Sequence, residues 1–240
     1  MIEQKNDDVP IPAKSQAQLN YENIVSRIAA KPLRANIIPV HIWREENGKK
    51  FWHCTGIFLR DRGDVVTCAH AFWDIPGKNR QTSLYYYQIL QPFESKLYPI
   101  EELQEIKNVE LSGKFASKDV VICKPGVSKL ISPLVNPEIV NDEQILEFRF
   151  SKYPTPIRTR STVTGEVAFI IGMTEQEGNL AFSLLAYNSS PGESGTAFLG
   201  DSGHVYFISK ATELTDELRN LFGLDKSIYN VALCSSISIK

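Results

Sequence analysis

The chain has 240 residues, of which 42% are hydrophobic and 22% charged, a composition typical of a soluble globular protein. A net charge of −2 and a pI near 6.1 argue against a basic surface for nucleic acid or for anionic membranes. No apolar run approaches the ~20 residues of a membrane span. We therefore expect neither nucleic acid nor membrane among the partners.

The cysteines and the first residues bear on the compartment. Residues 1–10 are polar and acidic and lack the hydrophobic segment of a secretory signal. The cysteines lie far apart, without the paired spacing of metal ligands, so no metal or other cofactor is expected. They are Cys54, Cys68, Cys123 and Cys234. We expect reduced thiols in a cytoplasmic protein, with signal-less export or delivery into another cell left open.

The N-terminal part predicts one helix. Residues 1–18 mix charged, amide and proline side chains, which is typical of a mobile tail or strap. From Asn20 onward, apolar residues recur at helical spacing until Pro32, which would end a helix. These apolar residues are Tyr21, Ile24, Val25, Ile28 and Ala29. Such a stripe favours a helix packed on the outside of the domain over a targeting or partner helix.

Short β-rich runs follow, separated by Gly, Pro, Asn and Asp turns. This pattern is typical of antiparallel barrels or a sandwich. The predicted strands are 37–43, 51–59, 65–69, 84–89, 120–123, 145–150, 161–171, 180–187, 196–199, 204–209 and 229–234, with weaker signals at 97–98 and 109–115. One late helix is expected, with Thr215 as its cap and Gly223 after its end. Its predicted apolar face is Leu214, Leu218, Leu221 and Phe222.

Three segments carry residues with catalytic chemistry. His70 directly follows an apolar strand, Asp119 opens another, and Ser194 lies in a turn between Gly192 and Gly195. Taken singly, such a histidine is more often an ordinary core or surface residue, and such an aspartate an ordinary turn residue. The glycines permit backbone angles that would aim the amides of Gly192 and Ser194 at one point beside the serine oxygen.

Taken in chain order, these segments resemble the trypsin-like serine peptidases. The matching motifs are Thr67-Cys68-Ala69-His70, Asp119-Val120-Val121-Ile122 and Gly192-Glu193-Ser194-Gly195. The order His, Asp, Ser is the one that this family uses. The strand 54–59 before the histidine and the strand 203–209 after the serine are also similar. The resemblance runs from about residue 37 to 236 and is nearer the compact bacterial HtrA-like and glutamyl-endopeptidase-like types.

The resemblance implies an all-β, chymotrypsin-like fold of two antiparallel six-stranded β-barrels, with an N-terminal helix and one late surface helix. It implies three parts: a tail and helix at 1–33, a first barrel at 34–135 with His70 and Asp119, and a second barrel at 136–240 with Ser194. It further implies a serine endopeptidase in which Ser194 attacks the carbonyl, His70 transfers the proton and Asp119 orients His70. The amides of Gly192 and Ser194 would bind the oxyanion.

The chain departs from the family at its activation device and at its disulfide. The start whose freed amine activates digestive members is replaced by Ile37-Ile38-Pro39-Val40, and Glu193 stands where that amine's aspartate would be. Zymogen cleavage of that kind is therefore not expected, and an activating partner stays open. Ala71 replaces the cysteine that would pair with Cys54. Free thiols are favoured over a Cys54–Cys68 bond formed under oxidation.

The resemblance also implies which residues would form the substrate pocket. Asn188 and Ser189 are expected at the base of the primary pocket, and the wall is expected to hold Ser209, Lys210 and Ala211. An asparagine at 188 argues against a trypsin-like choice of Arg or Lys. Lys210 would favour an acidic or polar side chain, or point to solvent, and Ser209 would support Asp119 by a hydrogen bond.

Two alternatives to the endopeptidase remain at this point. The first is a catalytically silent peptide-binding or interaction module on the same fold, because fold does not guarantee chemistry. The second is an esterase with the same three residues. An α/β-hydrolase is not favoured, because no alternation of strands and helices surrounds Ser194.

Overall fold

A computed structural model describes residues 15–74, 82–111, 114–135, 149–175 and 182–239. Within these ranges the first six strands close into an antiparallel barrel in the order β1-β2-β3-β6-β5-β4. They are β1 (Ile37–Glu46), β2 (Lys49–Leu59), β3 (Asp64–Thr67), β4 (Leu84–Ile89), β5 (Tyr98–Leu111) and β6 (Lys114–Pro125).

The second barrel repeats this architecture in the order β10-β11-β12-β9-β8-β7. Its strands are β7 (Arg149–Ser161), β8 (Val167–Glu175), β9 (Ser183–Ala186), β10 (Ala197–Gly200), β11 (His204–Glu213) and β12 (Asn230–Ser238). The predicted fold class, two six-stranded antiparallel barrels with an early and a late helix, is confirmed. The predicted part boundaries at 33/34 and 135/136 stay predictions.

Apolar side chains fill each barrel and also join the two. Ile42 and Val121 are fully buried in the first barrel, and Ile170 and Leu185 in the second. A separate cluster contains residues from both barrels: Ile37, Ile57, Leu59, Val66, Val120, Ala197, Leu199, Val205 and Phe207. Because burial of apolar area is the main favourable term in folding, this shared cluster fixes one barrel against the other.

Both helices occur, and their capping explains their limits. Helix α1 (Gln16–Ser26) begins after Ser15, whose hydroxyl accepts from the Gln18 amide, so it starts four residues before the predicted Asn20. Helix α2 (Asp216–Phe222) has Thr215 as its N-cap, and Gly223 ends it at φ 63°. Leu221 is 47% exposed, so its predicted place on the apolar face was wrong. Neither helix is long and apolar enough to cross a membrane, within the ranges described.

Strand lengths differ most from the sequence prediction in two places. Strand β6 has 12 residues, and the predicted strand at 120–123 is only part of it. Strand β7 continues to Ser161, whereas a strand was predicted to begin there. Pro154 and Pro156 obscured β7, because proline is ordinarily excluded from paired strands. They fall in the irregular pairing between Lys152 and Ile157, where proline is tolerated. The predicted residues 145–148 lie outside the described ranges.

Candidate active site

Asp119, His70 and Ser194 form one continuous chain of hydrogen-bonded side chains. The Nδ1 atom of His70 lies 2.8 Å from Oδ2 of Asp119, and its Nε2 atom lies 3.0 Å from Oγ of Ser194. The backbone amide of His70 donates to Oδ1 of Asp119 at 2.7 Å. Since a carboxylate only accepts, this network places the proton on Nδ1 and leaves Nε2 as the acceptor for the serine hydroxyl.

Strand pairing explains how His70 and Asp119 meet. Strands β3 and β6 are antiparallel neighbours, with Thr67 opposite Val121. His70 begins a short 3₁₀ turn, His70–Phe72, just beyond the end of β3. Asp119 lies two residues before Val121 on the adjoining strand and is only 3% exposed. The carboxylate is therefore shielded from water, where its attraction for the imidazole is stronger than in solvent.

Ser194 comes from the second barrel and is held against the first. Its turn, residues 190–195, is called the serine turn below. The carbonyl of Ser194 accepts from the amide of Thr55 in β2 at 3.0 Å, and the amide of Gly195 donates to Ile208 O at 2.8 Å. The serine turn is thus fixed to both barrels, and the candidate site lies where they meet.

Both glycines of the serine turn have backbone angles that exclude other residues. Gly195 has φ 80°, and a Cβ atom there would lie 2.0 Å from the carbonyl oxygen of Thr55. Gly192 has φ 97°, and a Cβ atom there would lie 3.0 Å from the ring of Trp52. Only glycine has both the conformational freedom and the missing side chain that this path needs.

Two amides of the serine turn form no hydrogen bond within the described part of the chain. Glu193 N donates to Ser190 O at 3.1 Å. No donor role is found for the amides of Gly192 and Ser194 among the residues described. Free amide donors beside a serine oxygen are the groups that stabilise negative charge on an attacked carbonyl.

The environment of His70 raises its basicity. Burial alone would lower the pKa of this imidazole, but the Asp119 carboxylate beside Nδ1 outweighs burial and holds the pKa above its ordinary value of 6.5. Burial raises the pKa of the Cys68 thiol well above 9.0, so this thiol is neutral at neutral pH. We attribute the raised His70 pKa to the Asp119 charge, because a nearby opposite charge favours the cationic imidazole.

The predicted pocket-floor residues are hydrogen-bonded to the chain at the start of β12. Asn188 donates to Ser227 O at 2.8 Å and accepts from Tyr229 N at 2.9 Å. Ser189 exchanges two hydrogen bonds with the Asn230 side chain, at 2.9 and 3.0 Å. Asn230 was not predicted, because nothing in its local sequence distinguishes it from a strand-end asparagine. The polar groups in these bonds are uncharged.

The predicted wall residues divide between buried and exposed. Ser209 is buried, and its hydroxyl lies 3.2 Å from that of Ser235. The Ser209 hydroxyl thus meets Ser235, and the predicted bond from Ser209 to Asp119 is not found among the described residues. Lys210 and Ala211 are exposed.

All four cysteines are buried and unpaired. Cys68 lies on the same side as His70, with its sulfur 3.9 Å from Nε2. Cys54 also interacts with Cys68 and approaches the Thr67 hydroxyl at 3.7 Å. No group of three His, Cys, Asp or Glu side chains suited to a metal ion occurs in the part of the chain that the structure describes.

Sequence reasoning missed the residues behind the serine turn. Arg27 and Asn20 of the N-terminal segment both contact it, and so does Trp52. The one available signal was Glu193, directly after Gly192, because a carboxylate needs a cation if it is buried. In comparisons with known proteins, no family model and no curated protein matches this chain.

Proposed function

We propose that this protein is a serine endopeptidase that hydrolyses peptide bonds through an acyl-enzyme intermediate. The observation that carries the proposal is the unbroken chain Asp119–His70–Ser194, with separations of 2.8 and 3.0 Å. The family resemblance of the three motifs and their order supports it. A nucleophile within hydrogen-bond reach of a base, which a third group orients, is the arrangement that activates a serine.

The mechanism follows from the bonds that each group can form. The Oγ atom of Ser194 attacks the substrate carbonyl carbon while His70 Nε2 takes the hydroxyl proton. The oxyanion is stabilised by the amides of Gly192 and Ser194. When the C–N bond breaks, Nε2 returns the proton to the leaving amine. Water then repeats the sequence, releasing the carboxylic acid and restoring the hydroxyl of Ser194.

The pocket floor supports a neutral substrate side chain. The side-chain amides of Asn188 and Asn230 are uncharged and already bonded to backbone groups, those of Ser189 among them. A charged substrate side chain would lose water there without gaining an opposite charge, which is costly. We further propose a cytoplasmic location, supported by the four unpaired, buried thiols.

The test is covalent labelling with a fluorophosphonate, which reacts with activated serines. The wild type is expected to label at Ser194, and Ser194→Ala and His70→Ala to lose labelling while melting within a few degrees of the wild type. Ser202→Ala is the matched control, because the Ser202 hydroxyl also contacts a histidine, His204 at 3.0 Å, but on the exposed surface. This control should label like the wild type.

The outcome also decides between the endopeptidase and the alternatives. A folded wild type that does not label would contradict the proposal and favour a silent peptide-binding module. Labelling at Ser194 with turnover of esters but of no peptide in a library would favour an esterase. Cleavage of internal peptide bonds that is insensitive to chelators is the expected result.

A further inference from the structure

Helix α1 lies across both barrels behind the serine turn. Ile24 is buried against Leu90 of the first barrel and Val163 of the second. The Tyr21 ring packs on Trp52, with centroids 5.7 Å apart. Just after the helix, the amide of Ala29 donates to Val163 O at 2.8 Å. The helix is therefore anchored independently of its contacts with the turn.

Two polar side chains of α1 and its C-cap reach the serine turn. Asn20 donates to the carbonyl of Pro191 at 2.6 Å, directly before Gly192. Arg27 lies 3.7 Å from the carboxylate of Glu193, directly after Gly192. Gly192 itself packs against Trp52, the ring that Tyr21 covers. Both neighbours of the glycine are thus held by the N-terminal segment.

Glu193 needs this support because its carboxylate is buried. Its side chain is 7% exposed, and its other partners are the Ser190 amide at 2.8 Å and the Tyr187 hydroxyl at 3.2 Å. These neutral donors do not cancel its charge, and a buried charge without a counter-ion is strongly disfavoured. Among the described residues, Arg27 is the cation that pairs with it.

We propose that Arg27, assisted by Asn20, is a positioning residue that holds the serine turn in the conformation presenting the Gly192 and Ser194 amides. The inference rests on the proposed function and adds its regulation. Docking of α1 sets the rate of the chemical step, in place of a freed N-terminal amine. Arg27 touches neither substrate nor the reacting atoms and acts only through Glu193.

The interface between α1 and the serine turn is polar and incompletely packed. A cavity of about 210 Å³ lies between α1 and the turn, bordered by Asn23, Ser26, Arg27, Ser190 and Glu193 among others. Ser194 and Gly195 are held by backbone bonds, but space remains beside Ser190 and Glu193, so the loss of the ion pair leaves room for the Glu193 side chain to move. The amides on either side of it would then lose their alignment.

The test compares Arg27→Met with Glu166→Gln by steady-state kinetics on a peptide substrate. Loss of one oxyanion donor lowers kcat by about 10²–10³-fold. Since Arg27 only favours the ordered turn, we expect kcat to fall about 10- to 100-fold in Arg27→Met, with KM within about threefold. Arg27→Lys, which keeps the charge, should recover most of the loss.

Glu166→Gln is the matched control because Glu166 pairs with the same guanidinium on the exposed side, away from the turn. It should change kcat by less than about threefold. Glu193→Gln should lower kcat as Arg27→Met does, and the double variant should lose no more than either single one, since both act through one contact. The low-field proton signal of the His70–Asp119 hydrogen bond should persist in all these variants.

Several results would overturn the inference. It fails if Arg27→Met keeps the wild-type kcat, if Glu166→Gln loses as much, or if the effects of Arg27→Met and Glu193→Gln multiply. Loss of the His70–Asp119 proton signal would mean that Arg27 has a general structural role instead. An inert wild type that also fails to label would contradict the proposed function, so the two failures are distinguishable.

Discussion

Both carboxylate oxygens of Asp119 accept hydrogen bonds from His70, one from the ring and one from the backbone amide. The hydrogen bond from the backbone amide fixes where the carboxylate lies. The hydrogen bond with the imidazole fixes which ring nitrogen carries the proton. His70 is therefore oriented before any substrate arrives. In the proposed reaction, such pre-organisation would lower the barrier because no reorganisation is needed.

The raised pKa of His70 predicts how the proposed activity depends on pH. In the proposed mechanism the neutral imidazole is the base, so kcat/KM should fall as the pH drops through the His70 pKa, at a midpoint above 6.5. The effect of His70 on stability runs the opposite way: its protonation stabilises the fold, and this contribution is fully present below pH 6.5 and is lost as the pH rises through the raised pKa. The kinetic pH profile and an NMR titration of His70 in Ser194→Ala measure the same group.

Asp119→Asn tests the cause of that pKa. It should lower the His70 pKa and reduce kcat by about 10⁴-fold, because the amide no longer fixes the tautomer. Cys68→Ala is the control, since a neutral thiol adds no charge, and it should leave the midpoint almost unchanged. A large drop of the midpoint in Cys68→Ala would show that the sulfur, and not the carboxylate, raises the His70 pKa.

The candidate site also depends on the absence of a Cβ atom at Gly195. In Gly195→Ala the new Cβ would lie 2.0 Å from Thr55 O and 2.2 Å from the Thr67 hydroxyl. Gly63→Ala is the matched control, because Gly63 also has a positive φ, 68°, but has open space around it. The control should cost about 1–2 kcal/mol of unfolding free energy, the ordinary cost of a left-handed alanine.

Gly195→Ala should cost at least twice as much as the control, because the clash adds to the conformational cost. Urea unfolding of the two variants measures the difference. If Gly195→Ala is purified only as aggregate while Gly63→Ala folds normally, the same conclusion holds. Equal costs in two folded variants would show that the serine turn moves freely away from Thr55.

Among the elements, those with strong local signals were predictable. Helix α2 has a capping threonine, an acidic first turn and a terminal glycine, and the structure gives it the predicted limits. The hairpin between β1 and β2 turns at Asn47 and Gly48, both with positive φ, which suits such a dipeptide. These features are decided within a few residues, so the sequence alone specifies them.

Strands and contacts that depend on residues distant in the sequence were harder to predict. Strand β5 has 14 residues and an irregular register against β6, which no short-range period reveals. The His70–Ser194 contact spans 124 positions and was predicted only through the resemblance of the motifs. The contact of Arg27 with Glu193 was missed, because a lone arginine at a helix end carries no indication of its partner.

At the scale of the whole molecule, the candidate site depends on how the barrels and α1 join. His70 and Asp119 belong to the first barrel. Ser194 lies just before β10 of the second barrel, a strand that packs against the first barrel. Tyr21 of α1 covers His41 of β1, with ring centroids 5.2 Å apart. His41 is fully buried, and neither of its ring nitrogens has a hydrogen-bond partner in the described part of the chain. This histidine therefore links global stability to pH.

Burial lowers the pKa of His41 from 6.5 to about 3. Unfolding returns the imidazole to water, so the unfolded chain takes up a proton between these two pH values. The free energy of unfolding should accordingly fall by about 1.4 kcal/mol for each pH unit from 6.5 towards 3 on account of His41. Acidic groups also titrate in this range, so the wild type alone does not isolate the effect.

His41→Phe isolates it, because phenylalanine keeps the ring contacts with Tyr21 and Trp52 and removes both unpartnered nitrogens. We expect the variant to be at least as stable as the wild type at pH 8, since it buries no unsatisfied polar atom. Its advantage should then grow by about 3 kcal/mol on going to pH 4. Urea unfolding of both proteins across this range gives the difference curve. A flat difference would mean that His41 reaches water in the folded protein, and that α1 does not seal this face of the first barrel.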